Sequence, residues 1–287
     1  MTRLALIGCG AWGWRYVNAA NEAGNCRVTH IAGGTDDGTR QLGALRHLPS
    51  RHWRALLDAP VDAFIVATPP DTHEEICTTL LNWKRPVMVE KPLALGTKAA
   101  KAIVAAAKSD VPLLVNHQHM FAPAYEALRE RVTSPCELLS CAGNVGPHRS
   151  YSALWDYGPH DIAMLLGLAS GPSEGRHATR NGGTFGLALR VGDHTADVTV
   201  WNDDTPKTRL LIASRPGWVA QYDELHPRGH ILRVDGVNVP VSSEKPLTRS
   251  VRAFADAVRT GVTDWRFGSF GADVVRLLED ADRLSAA

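Results

Sequence analysis

The stretch IGCGAWG, Ile7 to Gly13, limits what this chain can fold into more than any other, because of what lies on either side of it. Before it comes an apolar run of strand length, RLALIG (residues 3–8), and after it a stretch patterned as a helix (11–23). Gly8, Gly10 and Gly13 thus place the spacing GxGxxG at a strand-to-helix turn. The first glycine permits a tight turn, the second lets backbone approach a pyrophosphate, and the third lets helix and strand pack closely. Free N–H groups and the helix dipole then attract phosphate. The turn is predicted to hold a nucleotide through Gly8, Gly10, Ala11, Trp12 and Gly13.

The same rhythm continues downstream. RVTHIAG (27–33), DAFIVAT (62–68), PVMVEK (86–91) and PLLVNH (112–117) are short apolar runs, with helical stretches at 37–47, 72–83 and 96–108 between them. Uniformly apolar strands separated by helices predict a parallel sheet covered on both faces, a doubly wound α/β domain of the Rossmann type. After residue 118 the pattern changes. A helix at APAYEALRERV and the segments ELLSCAGNVG and WDYGPHDIAML precede strand-like runs with no helices between them: TFGLALRV, TADVTVWN, TRLLIAS, WVAQYDEL and HILRVDG. Turn signals such as VGDH, NDDTPK, RPG and PRG separate these runs, which predicts an α+β domain with a mostly antiparallel sheet. The expected division is therefore 1–118 and 119–287, with amphipathic helices at SVRAFADAVRTG and GADVVRLLEDADRLSAA and the last of them packing back on the first domain.

One part of the dinucleotide fingerprint is missing. An acid is expected about twenty residues after the glycines, at the end of the second strand, to bind the adenosine ribose hydroxyls. Gly33 and Gly34 stand there instead, Thr35 follows, and Asp36 and Asp37 come slightly late. Without a carboxylate at the strand end a 2′-phosphate meets no repulsion, and Thr35 or Arg40 is available to bind it. NADP(H) is expected at least as readily as NAD(H), unless a shifted loop lets Asp36 do the usual work.

Charge and cysteine usage exclude other classes. Thirty-one basic against thirty acidic residues leave a net charge of +1, with no basic stripe to track a phosphate backbone, so nucleic acid is not the expected partner. No apolar run approaches the roughly 18 residues of a membrane span, and the N-terminus lacks the pattern of a secretory signal. A cytoplasmic protein is expected, and Cys9, Cys26, Cys77, Cys136 and Cys141, odd in number and scattered, are expected to stay reduced.

The segment WDYGPHDIAML poses a separate question, because a helix rich in apolar residues begins with Asp156 and His160 one turn apart. Residues at i and i+4 share a helix face. An N-capping acid beside a surface histidine accounts for the pair; so does a site in which the ring, titrating near neutral pH, moves a proton. Pro159 fits best in a first helical turn.

Taken together, IGCGAWG, ATPPDTH (67–73), VEKPLAL (89–95), NHQHMFAPA (116–124) and WDYGPHDIAML resemble, in order and spacing, the Gfo/Idh/MocA oxidoreductases over nearly the whole chain. The resemblance implies a dinucleotide domain followed by an open-faced sheet domain, with substrate between them, and oxidation or reduction of a secondary alcohol or ketone on a sugar, sugar nucleotide or cyclitol. Lys91 matches the lysine of the family's EKP motif, and Asp156 and His160 match its later acid and histidine. Glu90 and Pro92 match the residues that support the lysine, through an unusual peptide geometry. Ala67, Thr68, Pro69 and His73 match the segment that runs along the nicotinamide ribose. Trp12 is placed to border the nicotinamide, although packing alone also explains it. Asn116, His117 and His119 are expected to end the last parallel strand and point into the same cleft. The family's frequent arginines are replaced by His119 and Met120, which implies a less cationic substrate pocket. Its acid three positions past the histidine is replaced by Ala163, with Asp161 beside His160 instead. The chain is short for the family, so the second domain is expected to have lost loops or strands, and homo-oligomers, dimers or tetramers, are expected through its sheet.

Chemistry supplies its own reason for the trio. Hydride leaves a carbinol carbon only as the hydroxyl loses its proton, which requires a base beside the oxygen and a cation for the developing alkoxide. His160 is the expected acceptor, Lys91 polarises the oxygen or relays its proton, and Asp156 orients the ring or binds a neighbouring hydroxyl; the residues leave open which of Lys91 and His160 is the final base. Two other readings stand beside this one: a transient-redox epimerase or lyase that holds its cofactor, and a non-catalytic nucleotide or metabolite binder. A metal held by His117, His119, Asp156 and His160 is not expected, since neutral histidines are common in polar clefts.

Overall fold

A computed structural model describes residues 1–33, 52–107, 110–144, 151–203, 207–226, 229 and 231–286. They divide into two units, Met1–Asn116 with Leu247–Val275, and His117–Pro246 with Arg276–Ala287.

In the first unit, β1 (Thr2–Ile7), β2 (Cys26–Ala32), β3 (Ala63–Val66), β4 (Val87–Glu90) and β5 (Leu113–Asn116) form a sheet in the order β2-β1-β3-β4-β5. Every pairing is parallel. All residues of β3, β4 and β5 are buried, which is why these strands read as unbroken apolar runs. Helices α1 (Ala11–Ala23), α2 (His73–Asn82) and α3 (Thr97–Ala106) connect them; the helix expected at 37–47 lies outside the described residues. From β1 the chain steps to β2 on one side and then to β3 on the other, so strand order reverses at the β1–β3 pair, where sheets of this kind bind ligands beyond their carboxyl ends.

Leu247–Val275 is grouped with the first 116 residues, whereas the sequence placed it beyond a single boundary at 118/119. Its hydrogen bonds explain the grouping: Thr2 Oγ1 donates to Ala255 O (3.3 Å), Asn25 Nδ2 to Arg252 O (3.0 Å) and Gly268 N to Leu113 O (2.9 Å).

The second unit contains α4 (Pro123–Arg129), β6 (Glu137–Gly143), α5 (Ala153–Asp156), α6 (Gly158–Leu168), β7 (Ser173–Asn181), β8 (Thr184–Val191), β9 (His194–Trp201), β10 (Thr208–Arg215), β11 (Trp218–Asp223), β12 (Ile231–Val234) and β13 (Val237–Val239). Its sheet runs β13-β12-β11-β10-β6-β9-β8-β7, antiparallel except for the β6–β9 pair. Burial alternates along β8 and β9, so one face is covered; Leu139 and Val219 remain exposed. Helix α6 packs on β6 and β9, and almost all its residues are buried, as its apolar residues require. Strand β7 carries no apolar run to reveal it. It is an edge strand that pairs only with β8 and exposes Arg176 and Arg180, charges of the kind that protect an open edge. Helices α7 (Pro246–Thr260) and α8 (Phe270–Ser285) close the chain. Among the described residues no helix is long and apolar enough to cross a membrane, and all five cysteines are free thiols.

Candidate functional site

The glycine turn takes the form its sequence implies. Gly8 has φ +117°, and a Cβ there would lie 2.5 Å from the Ala67 carbonyl carbon and closer still to its oxygen. Only glycine fits between these backbones. Gly8 N donates to Ala32 O (2.7 Å) and Ala67 N to Ile7 O (2.7 Å), so β1, β2 and β3 meet around it. Gly10 caps α1 without a side-chain hydrogen bond, and no acidic residue lies in the first helical turn. A Cβ on Gly10 would meet nothing within 4 Å. Gly10, Ala11 and Pro69 are exposed, and Trp12, Gly33, Ala67 and Thr68 are half-buried. An open helix N-terminus with free N–H groups and no competing carboxylate fits a pyrophosphate. The Arg15 guanidinium lies over the Trp12 ring, 4.6 Å from its centroid. Gly34, Thr35 and Arg40 lie outside the described residues.

Lys91 follows β4 on a loop fixed from beneath. Its backbone N–H donates to its neighbour, Glu90 Oε2 (3.2 Å), and Glu90 Oε1 accepts from Tyr16 Oη (2.5 Å) and Asn116 Nδ2 (3.1 Å). Asn116 Nδ2 also donates to Tyr16 Oη (2.6 Å), and Ser250 Oγ donates to Asn116 Oδ1 (3.0 Å). Burial, and secondarily the Glu90 charge, hold the Tyr16 hydroxyl well above its ordinary pKa, so it remains a donor. The Lys91–Pro92 peptide is cis. Beyond it, His73 is wholly buried, with Nδ1 3.0 Å from Pro92 O and Nε2 3.0 Å from Thr68 O. Burial lowers its pKa. His73 and Asn116, expected to line a cofactor, thus have buried side chains engaged in fixing the loops at Thr68 and Lys91. Sequence reasoning missed Tyr16 and Ser250; the place of Tyr16 on the buried stripe of α1 was a signal for the tyrosine alone.

The second unit gathers three imidazoles. His117 follows β5, and His119 lies in a 3₁₀ turn, Gln118–Phe121, rather than on the strand. The rings of His119 and His160 meet edge to face, centroids 4.4 Å apart, and His117 lies 6.3 Å from His160. All three residues are buried. Asp156 is half-buried and ends α5, with Tyr157 separating it from α6. Asp156 and His160 therefore do not share one uninterrupted helix. Pro159, in the first turn of α6, has no N–H to donate to the Trp155 carbonyl, and the helix divides there. Asp161 faces inward and accepts from Ser140 Oγ. Among the described residues no group of three or more His, Cys, Asp or Glu side chains is disposed to hold a metal ion.

Two charged residues of this cluster escaped sequence reasoning. Glu224 Oε2 lies 3.0 Å from His119 Nδ1 and 3.8 Å from Arg209 Nε, with 4% of the Glu224 side chain exposed. Burial raises the Glu224 pKa to about 7, helped by the Asp161 charge and opposed by Arg209, the Tyr222 hydrogen bond and Lys207. The signal was parity. On β11, Ala220 and Tyr222 are the buried positions, and Glu224 continues their face; on β10, Arg209 continues that of Leu211 and Ala213.

Residues 2–117 match the family model described as "Oxidoreductase family, NAD-binding Rossmann fold". The chain is similar to 4-carboxy-2-hydroxymuconate-6-semialdehyde dehydrogenase of Sphingobium sp., 23% identical over 90% of this chain and 91% of that protein. A solved structure from Magnetospirillum magnetotacticum MS-1, provisionally assigned as an oxidoreductase, is 32% identical and covers 97% of this chain and 99% of its own, with a TM-score of 0.82. KijD10, a 3-ketoreductase from Actinomadura kijaniata crystallised with TDP-benzene and NADP, shares the fold at 18% identity, covering 99% of this chain and 98% of its own, with a TM-score of 0.87.

Proposed function

We propose, from the premise that this chain belongs to the Gfo/Idh/MocA family of NAD-binding oxidoreductases, that it transfers hydride to or from a secondary alcohol or ketone of a small polyhydroxylated metabolite: a sugar, sugar nucleotide or cyclitol. One observation carries this reading. The glycine turn after β1 and the Lys91 loop after β4 both leave the carboxyl edge of one parallel sheet, the edge at which open α/β sheets hold ligands.

A bound nicotinamide dinucleotide supplies or accepts the hydride. Gly8, Gly10, Ala11 and Gly13 would hold its pyrophosphate through backbone, and Ala67, Thr68 and Pro69 its nicotinamide ribose, with Trp12 beside the nicotinamide ring. Gly33, Gly34, Thr35 and Arg40 would take the adenosine ribose. With no acid among them, NADP(H) is accommodated at least as readily as NAD(H), and the NADP held by KijD10 supports that preference. Lys91 polarises the reacting oxygen, held in place by Glu90; His160 takes the hydroxyl proton during oxidation and returns it during reduction. Asp156 orients that ring or holds a neighbouring hydroxyl, and His117 and His119 contact the substrate. The exposed Leu139 and Val219 support pairing with a second copy through the open sheet face, which light scattering in solution tests.

The test of function is a fluorescence titration with NADH and NADPH, followed by a screen of polyols, sugars, sugar nucleotides and their keto forms with the tighter dinucleotide. Binding, with stoichiometric change in absorbance near about 340 nm during turnover, is expected. Failure of both dinucleotides to bind at millimolar concentration ends the oxidoreductase reading. Turnover without net absorbance change replaces it with transient redox chemistry, an epimerase or lyase.

A further inference from the structure

We propose that the substrate carries an anionic oxygen group, a carboxylate or a phosphate, and that Arg209 receives it. The proposal rests on the hydride-transfer reading above and deepens it, narrowing the small polyhydroxylated metabolite to one that bears a negative charge. Arg209 lies near the start of β10, on the inward face that Leu211 and Ala213 continue. Its guanidinium lies over the Tyr157 ring, 5.4 Å from the centroid. Tyr157 links the two candidate residues of this unit, since it follows Asp156 directly and its carbonyl accepts from His160 N (3.0 Å). The cation therefore stands beside the segment that presents both the acid and the proposed proton acceptor.

The protein itself leaves this cation poorly matched. Nη1 of Arg209 is buried and, among the described residues, has no hydrogen-bond partner. The one carboxylate paired with Arg209 among the described residues is Glu224, whose Oε2 stands 3.8 Å from Nε, beyond the reach of an N–H···O hydrogen bond. Glu224 also exchanges its proton at about 7, so near neutral pH its charge offsets the guanidinium only in part. Asp161, the other buried acid nearby, is turned to Ser140 Oγ. Burying a guanidinium in this way is costly unless an acceptor meets it, and its planar fork of donors matches two oxygens of one carboxylate or phosphate. The Arg209 side chain keeps 15% exposure, which leaves an incoming anion a way to reach it. His119 and Met120, in place of the family's arginines, imply a less cationic pocket; β10 supplies a guanidinium to it from another part of the chain.

The test uses the full-length ¹⁵N-labelled chain and follows the Nε–H signal of Arg209, assigned as the arginine signal lost in R209K. The probes are gluconate for the carboxylate, inorganic phosphate for the phosphate, and uncharged glucitol. A saturable shift of that signal is expected at millimolar concentrations of one anion or both, with none from glucitol, and the stronger of the two anions identifies the group. A signal that neither anion moves overturns the proposal, and so does one that glucitol moves equally. This measurement needs neither dinucleotide nor turnover, so its failure and the failure of the hydride-transfer reading are separate results. Where the screen yields turnover, the acid or phosphate should be used at least about tenfold more efficiently than its uncharged parent. In R209M the KM for that substrate should rise by about ten- to hundredfold, with a smaller change in kcat, and R209K should restore part of the loss. Equal use of the uncharged parent, or an unchanged KM in folded R209M, overturns the proposal.

Discussion

Gly8 and Gly10 stand two residues apart in one motif, yet the structure gives them different work, and substituting each by alanine should separate stability from binding. At Gly8, with φ +117°, a side chain occupies a backbone region that costs about 1–3 kcal/mol. The new Cβ would also lie 2.5 Å from the Ala67 carbonyl carbon. Ala67 is pinned by its hydrogen bond to Ile7, so neither strand end can withdraw, and overpacking adds about 1–3 kcal/mol. Gly8→Ala should therefore cost about 2–6 kcal/mol, a large part of the roughly 5–15 kcal/mol that holds a domain folded. Gly10 has φ −74° and nothing within 4 Å of an added Cβ. Alanine there gains about 0.4–1 kcal/mol from the unfolded chain and loses a comparable amount as a poorer N-cap. Gly10→Ala should therefore leave stability within about 1 kcal/mol, while its methyl group stands where a pyrophosphate would approach. Urea unfolding measures the first effect and NADPH fluorescence titration the second, with at least about tenfold weaker binding expected for Gly10→Ala, equivalent to about 1.4 kcal/mol. Wild-type affinity in Gly10→Ala would place the dinucleotide elsewhere. Wild-type stability in Gly8→Ala would refute the steric argument itself.

Further outcomes follow from the rest of the site. Lys91→Ala should lower kcat by about 10²–10⁴-fold in steady-state assays while leaving dinucleotide titrations close to wild type; full activity in this variant would favour the non-catalytic binder. Tyr16→Phe removes the hydroxyl that joins Glu90 and Asn116, and should cost about 1–3 kcal/mol in urea unfolding; an unchanged midpoint would show that the network does not stabilise the Lys91 loop. Glu224, with a folded pKa of about 7 against an ordinary 4.5, binds its proton more tightly in the folded than in the unfolded state. Its contribution to stability is therefore most favourable below the ordinary value and declines as pH rises through the interval up to about 7. E224Q should flatten that decline in unfolding midpoints measured across the interval, and an identical slope in both proteins would dispose of the assignment.

The parts of this protein that were legible in its sequence are those fixed by near neighbours. The turn at Gly8 needs only a strand before it and a helix after it, and β3, β4 and β5 announce themselves because burial on both faces admits no polar residue until the strand ends. Lys91 and His160 stood out as candidates because each sits in a motif whose residues are contiguous. Strand β7 was hidden for the opposite reason: its partner on one side supplies all its order, and its exposed side is free to be charged. The same principle explains why Glu224 and Arg209 were missed. Nothing near either residue in the chain marks it, and their meeting is settled by the register of β10 on β11, which pairs Leu210 with Asp223 and leads Glu224 N to donate to Arg209 O (3.2 Å). A shift of one residue would turn the Glu224 carboxylate to the other face and away from His119. Which charged groups a buried imidazole meets is thus a property of strand pairing, and inward parity on a predicted strand is the earliest point at which such a residue can be recognised.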